Sequence, residues 1–146
     1  MNLTLYTRAH GMTRRTILAI AFVTATLRAQ SGDEPVRGTL VQKPGGPALG
    51  TRDGKIILLD GDEGTRSVLN DERLRGMDFE AVGHFTASDH FLIDPIYQRA
   101  MFVHKDEKRL FITYWCNVCY IRTYTPGNCR CCQKYTDLDL TENDAQ

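Results

Sequence analysis

The sequence predicts a small all-β domain, preceded by an export signal and followed by a cysteine-built metal module. Three observations carry that reading. From Val36 onward, short apolar runs are broken by Gly, Pro and Asp-Gly turn signals. All five cysteines fall between Cys116 and Cys132. The first 29 residues join a basic start to an apolar stretch. A length of 146 residues suits one domain plus a targeting segment. With 42% hydrophobic and 25% charged residues the composition is ordinary, which leaves the crowded cysteines as the unusual feature.

Residues 1–29 follow the three-part plan of a signal peptide, expected to be a helix that is cleaved. A basic section ends at Arg14-Arg15, an apolar section runs from Ile17 to Leu27, and small residues follow near Ala29. Leu27 is an imperfect match to the cleavage pattern, and a buried hydrophobic helix is the competing reading. The absence of acidic residues and the switch to Gln30-Ser31-Gly32-Asp33-Glu34 favour export, to the periplasm or outside the cell. Thr13-Arg14-Arg15-Thr16-Ile17-Leu18 resembles the twin-arginine signal, which implies export of an already folded chain. No stretch approaches the roughly 18 apolar residues of a bilayer span, so no stable membrane segment is expected after cleavage.

The net charge of +0 hides an asymmetry. Four basic residues and no acidic one precede Gln30, which leaves 14 basic against 18 acidic residues in the remainder. An acidic body repels phosphate backbones, so no nucleic-acid partner is expected.

Residues 30–112 are expected to form the β-domain. Val36 to Val41 alternates weakly as a first strand, and Lys43-Pro44-Gly45-Gly46-Pro47 reads as a loop because proline cannot donate to a ladder. Asp53-Gly54 turns the chain into the strand Lys55 to Leu59, which Asp60-Gly61 closes. Ser67 to Leu74 suits one or two helical turns with Ser67 as cap. Strands are then expected at Phe79–His84, Phe91–Tyr97 and Ala100–His104. Lys105 to Lys108 makes a charged hairpin tip before a strand from Arg109 to Tyr114. Gly38-Thr39-Leu40, Asp53-Gly54-Lys55, Leu74-Arg75-Gly76 and Phe79-Glu80-Ala81-Val82-Gly83 occur in an order that resembles small exported OB-like barrels. The resemblance covers about half the chain and implies the architecture only. The basic and aromatic face with which many such barrels bind oligonucleotides is missing from this stretch.

Residues 113–142 are expected to form the metal-binding module. Cys116, Cys119, Cys129 and Cys132 make two C-x-x-C pairs joined by nine residues. Two intervening residues let both sulfurs of a pair face one ion, and soft thiolates select zinc, Cu(I) or iron over hard cations, with a single zinc the expected occupant. Pro126-Gly127 turns the chain just before the second pair, and Arg122, Arg130 and Lys134 are available to offset surplus thiolate charge. Cys131 is an alternative ligand to Cys132. Tyr114 and Trp115 are expected to pack against the domain, and Tyr135 to Leu140 to be a strand that the module staples in place. Tyr114-x-Cys116-x-x-Cys119 with Pro126-Gly127-Asn128-Cys129-x-x-Cys132 resembles bacterial zinc-ribbon and heavy-metal-binding modules. Cys119 replaces the usual histidine of the heavy-metal module and Gln133-Lys134 its Gly-Met, which points toward structural zinc.

Competing readings remain open at this level. An oxidising compartment favours disulfides, although five cysteines leave one over. A thiol oxidoreductase would want one C-x-x-C at a helix start, whereas Cys116 follows the strand-like Leu110 to Tyr114. His84, His90 and Asp89 lie near one another in sequence, but loop histidines are usually solvent-facing. No Ser elbow, phosphate loop or His-Glu-x-x-His pattern occurs. The expectation is therefore a non-catalytic zinc protein whose site is structural or presents a surface to a protein partner. An envelope copper- or zinc-handling protein is the alternative.

Overall fold

In the computed structural model the described residues are 34–142, so the expected signal peptide lies outside them. The elements are β1 (Glu34–Lys43), β2 (Gly46–Gly50), β3 (Ile56–Asp60), α1 (Glu63–Leu69), β4 (Asp78–Ala87), β5 (His90–Ile93), β6 (Met101–Lys105), β7 (Lys108–Cys116), β8 (Ile121–Thr123) and β9 (Asp137–Thr141). Single 3-10 turns occupy Glu72–Leu74 and Ile96–Gln98.

Five strands close a barrel. β1 pairs antiparallel with β2 through Thr39–Lys43 and with β4 through Glu34–Thr39. β2 pairs β3, β3 runs parallel to β5, and β5 returns antiparallel to β4. The bend that lets β1 serve two partners falls at Gly38, where a Cβ would stand 2.6 Å from the Gly50 carbonyl oxygen. Gly83 does the same for β4, since a Cβ there would meet the Leu92 carbonyl oxygen at 2.1 Å. Leu40, Leu49, Leu69, Leu74, Val68, Phe79 and Phe91 fill the interior, each essentially inaccessible.

Several elements differ from the sequence reading for local reasons. The helix is Glu63–Leu69, earlier than expected, and Asp62 rather than Ser67 caps it by accepting from the Thr65 N–H at 2.8 Å. Asp62 also accepts from the Ile96 N–H at 3.0 Å, which ties the helix to the β5–β6 connection. The expected loop Lys43–Pro47 shortens to a two-residue turn, and Pro47 sits in β2 opposite Gln42. β5 stops at Ile93 instead of running to Tyr97, because Asp94-Pro95 breaks the ladder. The tip of the β6–β7 hairpin is Asp106-Glu107, both left-handed with φ of 51° and 64°.

The excursion after β5 positions everything downstream. β5 and β6 run along the same edge of β4, with Gly83 opposite Ile93 and Ala81 opposite Met101. Between them Val82 donates to the Ala100 carbonyl and accepts from the Asp94 N–H, so the ladder stays satisfied across the gap. β6 thus leads out of the barrel into a sheet extension. β7 pairs with β6 through Lys108–Phe111, with β9 through Phe111–Trp115, and with β8 through Tyr114–Cys116. Ile112 and Tyr114 bury into the same core as the barrel residues, with Leu138 and Leu140 packed against it.

Asp71 and Arg73 clamp the extension to the barrel side. The Asp71 carboxylate accepts from both Nε and Nη2 of Arg73, and Arg73 Nη1 donates 2.9 Å to the Thr136 carbonyl. The guanidinium also lies over the rings of Tyr114 and Tyr135, at 5.2 and 5.1 Å. Burial disfavours the Asp71 carboxylate, but the Arg73 hydrogen bonds outweigh it and hold the pKa below the ordinary value. Burial likewise opposes the charge on Glu80, which His104 and Arg109 more than offset.

A depressed folded pKa means a contribution present above the unfolded value and lost as pH falls through the folded one. Asp71→Asn is expected to cost about 1–3 kcal/mol at neutral pH. It should also flatten the loss of stability below about pH 4. Urea unfolding of both proteins across pH 2–7 checks this, and a parallel acid decline would contradict it.

Candidate metal centre

β7 ends on Cys116, and the chain turns through Asn117, Val118 and Cys119 into β8. The Tyr120 N–H closes the turn on the Cys116 carbonyl at 2.9 Å, with Tyr120 left-handed at φ 55°. The second pair repeats this geometry residue for residue. The Gln133 N–H donates to the Cys129 carbonyl at 2.9 Å, with Gln133 at φ 60°. Cys116 faces Ile121 across the first hairpin, and Cys129 donates to the Lys134 carbonyl five residues on across the second. Two equal hooks therefore face each other.

Hydrogen bonds outside the hooks fix how they are presented. The Gly127 carbonyl accepts from both the N–H and the Oγ1 of Thr136, each at 2.9 Å, so the expected Pro126-Gly127 turn is pinned to the start of the last strand. Asn117 is bonded to Asp137. Arg122 pairs with Asp139 at 2.6 Å and lies over the Trp115 ring. It braces β8 against β9 and is not directed at the sulfurs, while Arg130 and Lys134 stay exposed on the second hook. Tyr114 packs in the core as expected. Trp115 stays half-buried, edge-on to Tyr120.

The Sγ atoms of Cys116, Cys119, Cys129 and Cys132 all lie within 4.8 Å of one another, and those of Cys116 and Cys132 are 3.5 Å apart. Sulfurs about 2.3 Å from a tetrahedral ion would be separated by roughly 3.8 Å, so the arrangement matches such an ion in scale. All five cysteines are free thiols. The first cysteine of each hook is sealed, with Cys116 at 1% and Cys129 at 0% exposure, whereas Cys119 and Cys132 are half-buried. Cys131 occupies the third position of its hook, as Val118 does in the first, and both are exposed. The hook geometry thus brings Cys132 to the group and leaves Cys131 outside.

The thiols do not ionise alike. Backbone N–H groups of Cys119 and Val118 point at Cys116 and draw its pKa down to about 7. Cys119 is pushed up, first by contact with Cys131 and then by burial. The Lys134 backbone favours the Cys132 thiolate, but burial and the neighbouring Cys116 raise its pKa overall. Sulfurs so close cannot all carry charge by themselves; a soft divalent cation is what would let them.

Among the described residues no other group of three or more His, Cys, Asp or Glu side chains converges in this way. The His90 ring bonds its neighbour Asp89, at 2.8 Å on the surface, and His84 sits exposed opposite Leu92. The sequence reading missed β8, the Asp71–Arg73 clamp and the left-handed residues that end both hooks. A residue after each C-x-x-C that must accept positive φ is the signal that was available.

Neither Tyr120 nor Gln133 is glycine, and a left-handed L-residue costs about 1–2 kcal/mol. Gln133→Gly is expected to raise stability by about 0.5–1 kcal/mol, after the extra unfolded-state entropy of glycine is counted. Gln133→Val should lower it by at least as much. Denaturant midpoints of the two variants check the sign.

The chain matches no protein-family model, no curated protein and no solved structure.

Proposed function

We propose that the chain is an exported, non-catalytic zinc protein: an OB-like barrel whose sheet extension carries a structural four-cysteine ion. The observation that carries this is the convergence of four sulfurs from two hooks of like backbone geometry, with the first cysteine of each sealed from solvent. Four cysteine ligands fill a tetrahedral zinc and leave no position for an activated water, which argues against hydrolytic chemistry. The ion would join β7, β8 and the segment leading to β9, where the Thr136 and Asp137 contacts already gather. Val118, Tyr120 and Ile121 stand exposed beside it and make the surface most suited to a protein partner. Export rests on the leader pattern in residues 1–29.

A second reading, an envelope protein that takes up and releases zinc or copper, is favoured by the half-exposed Cys119 and Cys132, through which an ion could exchange.

Elemental analysis of the purified chain is expected to return one zinc per molecule, lost in Cys116→Ser and Cys129→Ser but kept in Cys131→Ser. Zinc should leave progressively as pH falls, because each ligand must shed its proton to bind. Chelation should lower the unfolding midpoint if the ion is structural and leave it nearly unchanged if the protein is a carrier. A chain that takes up no metal on titration, or a disulfide map joining these cysteines, overturns the zinc reading. N-terminal sequencing of exported protein tests cleavage near Ala29.

A further inference from the structure

The two hooks share a backbone path but present opposite chemistry to solvent. Counted from the first cysteine of each, Asn117 corresponds to Arg130, Tyr120 to Gln133 and Ile121 to Lys134, and all six are exposed. The first hook is thus apolar, with Tyr120 at 74% exposure beside Val118 and Ile121. Tyr120 stands edge-on to Trp115, with ring centroids 6.2 Å apart, so its ring is braced from behind. The second hook is cationic. From Asn117 to Tyr135 the sequence holds three basic residues and no carboxylate, although acidic residues outnumber basic ones over the chain from Gln30 onward. Arg122 is committed to Asp139 at 2.6 Å. Arg130 and Lys134 form no ion pair among the described residues.

Resting on the zinc reading above, we propose that the joined hooks are a metal-dependent docking face for an acidic segment of a partner protein, in which aspartate or glutamate neighbours an aliphatic or aromatic anchor. The charge distribution chooses the sign. An acidic segment is repelled by the body of the chain and attracted to the one stretch that carries cations without carboxylates. Arg130 offers a fork of donors that fits a carboxylate, and Lys134 a second cation. Surplus thiolate charge lies among the sulfurs, and the first cysteine of each hook is sealed. A partner's carboxylate therefore meets the guanidinium and ammonium groups at contact and the sulfur charge only from farther away. The apolar anchor packs on Tyr120 and Ile121, a tyrosine being among the side chains that carry most interface energy. The ion ties hook to hook, so the apolar and cationic halves are preorganised for one segment only while it is bound.

The probe is a displayed library of random linear peptides, selected on the full-length chain loaded with zinc, with enriched peptides resynthesised for titration. Enriched peptides are expected to carry net negative charge beside at least one leucine, phenylalanine or tryptophan. Their Kd should rise at least about tenfold in Tyr120→Asn, which suits the left-handed backbone there, and in the double variant Arg130→Gln/Lys134→Gln, with zinc content unchanged. Ile121→Ser gives the apolar half a second variant. Stripping zinc from wild type with a chelator should weaken binding by a similar factor. No enrichment, peptides without an acidic bias, or affinities indifferent to these substitutions or to zinc removal overturn the proposal and leave the zinc site standing. Sedimentation with phosphatidylglycerol vesicles that the same variants abolish also overturns it, since the face would then serve a lipid surface. A chain that takes up no zinc overturns the zinc reading at an earlier step, and this proposal with it.

Discussion

The convergence of four sulfurs at one point is the constraint on which the rest of the described structure depends. Within 4.8 Å of one another, Cys116, Cys119, Cys129 and Cys132 cannot all be thiolates in the absence of a cation. Backbone N–H groups favour one charge, at Cys116, and crowding pushes Cys119 and Cys132 the other way. The hooks bury Cys116 and Cys129 but expose Val118 and Tyr120 beside them. What holds the hooks in place is the sheet extension behind them, and what that extension requires is a fixed barrel edge.

That edge is β4. Its first half pairs β1 on one side and β6 on the other, and its second half pairs β5, so the strand belongs both to the closed barrel and to the extension. The carbonyl and N–H of Val82 bridge the chain on either side of the Asp94–Ala100 excursion, which keeps β5 and β6 in line. From there β7 runs straight into Cys116, with Tyr114 buried in the common core two residues before that first cysteine. The last strand is held independently by Arg73 through the Thr136 carbonyl. The two hooks are thus anchored from two directions, one through the sheet and one through an ion-paired arginine.

Much of this could be read from residue order, and the parts that could not share a cause. Strands at Val36, Ile56, Phe79, Phe91, Met101 and Leu110 show themselves as short apolar runs between turn signals, because burial on a sheet leaves that imprint. The four clustered cysteines show themselves by spacing, which is a direct consequence of tetrahedral geometry. Proline at position 47 suggested a loop, yet Pro47 lies in a strand, because a proline costs a ladder only where its N–H would have been used. The cap at Asp62 is local, a bond to the Thr65 N–H, but its second bond, to the Ile96 N–H 34 residues away, has no local pattern. The Arg73–Thr136 bond spans 63 residues, and no local pattern encodes it. Local geometry is legible in sequence; pairings made only by closure of the barrel are not.

The choice between Cys131 and Cys132 illustrates the boundary. On spacing alone either sulfur completes a second pair, since C-x-C and C-x-x-C both occur in Cys129-Arg130-Cys131-Cys132. The decision is made by the backbone that follows. A hook that closes with an N–H from the fourth residue after its first cysteine, and a left-handed residue at that position, turns the third residue outward and the fourth inward. Gln133 satisfies this for Cys132, as Tyr120 does for Cys119. Had the left-handed residue been Cys132 instead, Cys131 would have been the inner sulfur. The outer position of the fifth thiol is therefore a consequence of turn geometry, and the accessibility of that thiol follows from the same turn that seals Cys129.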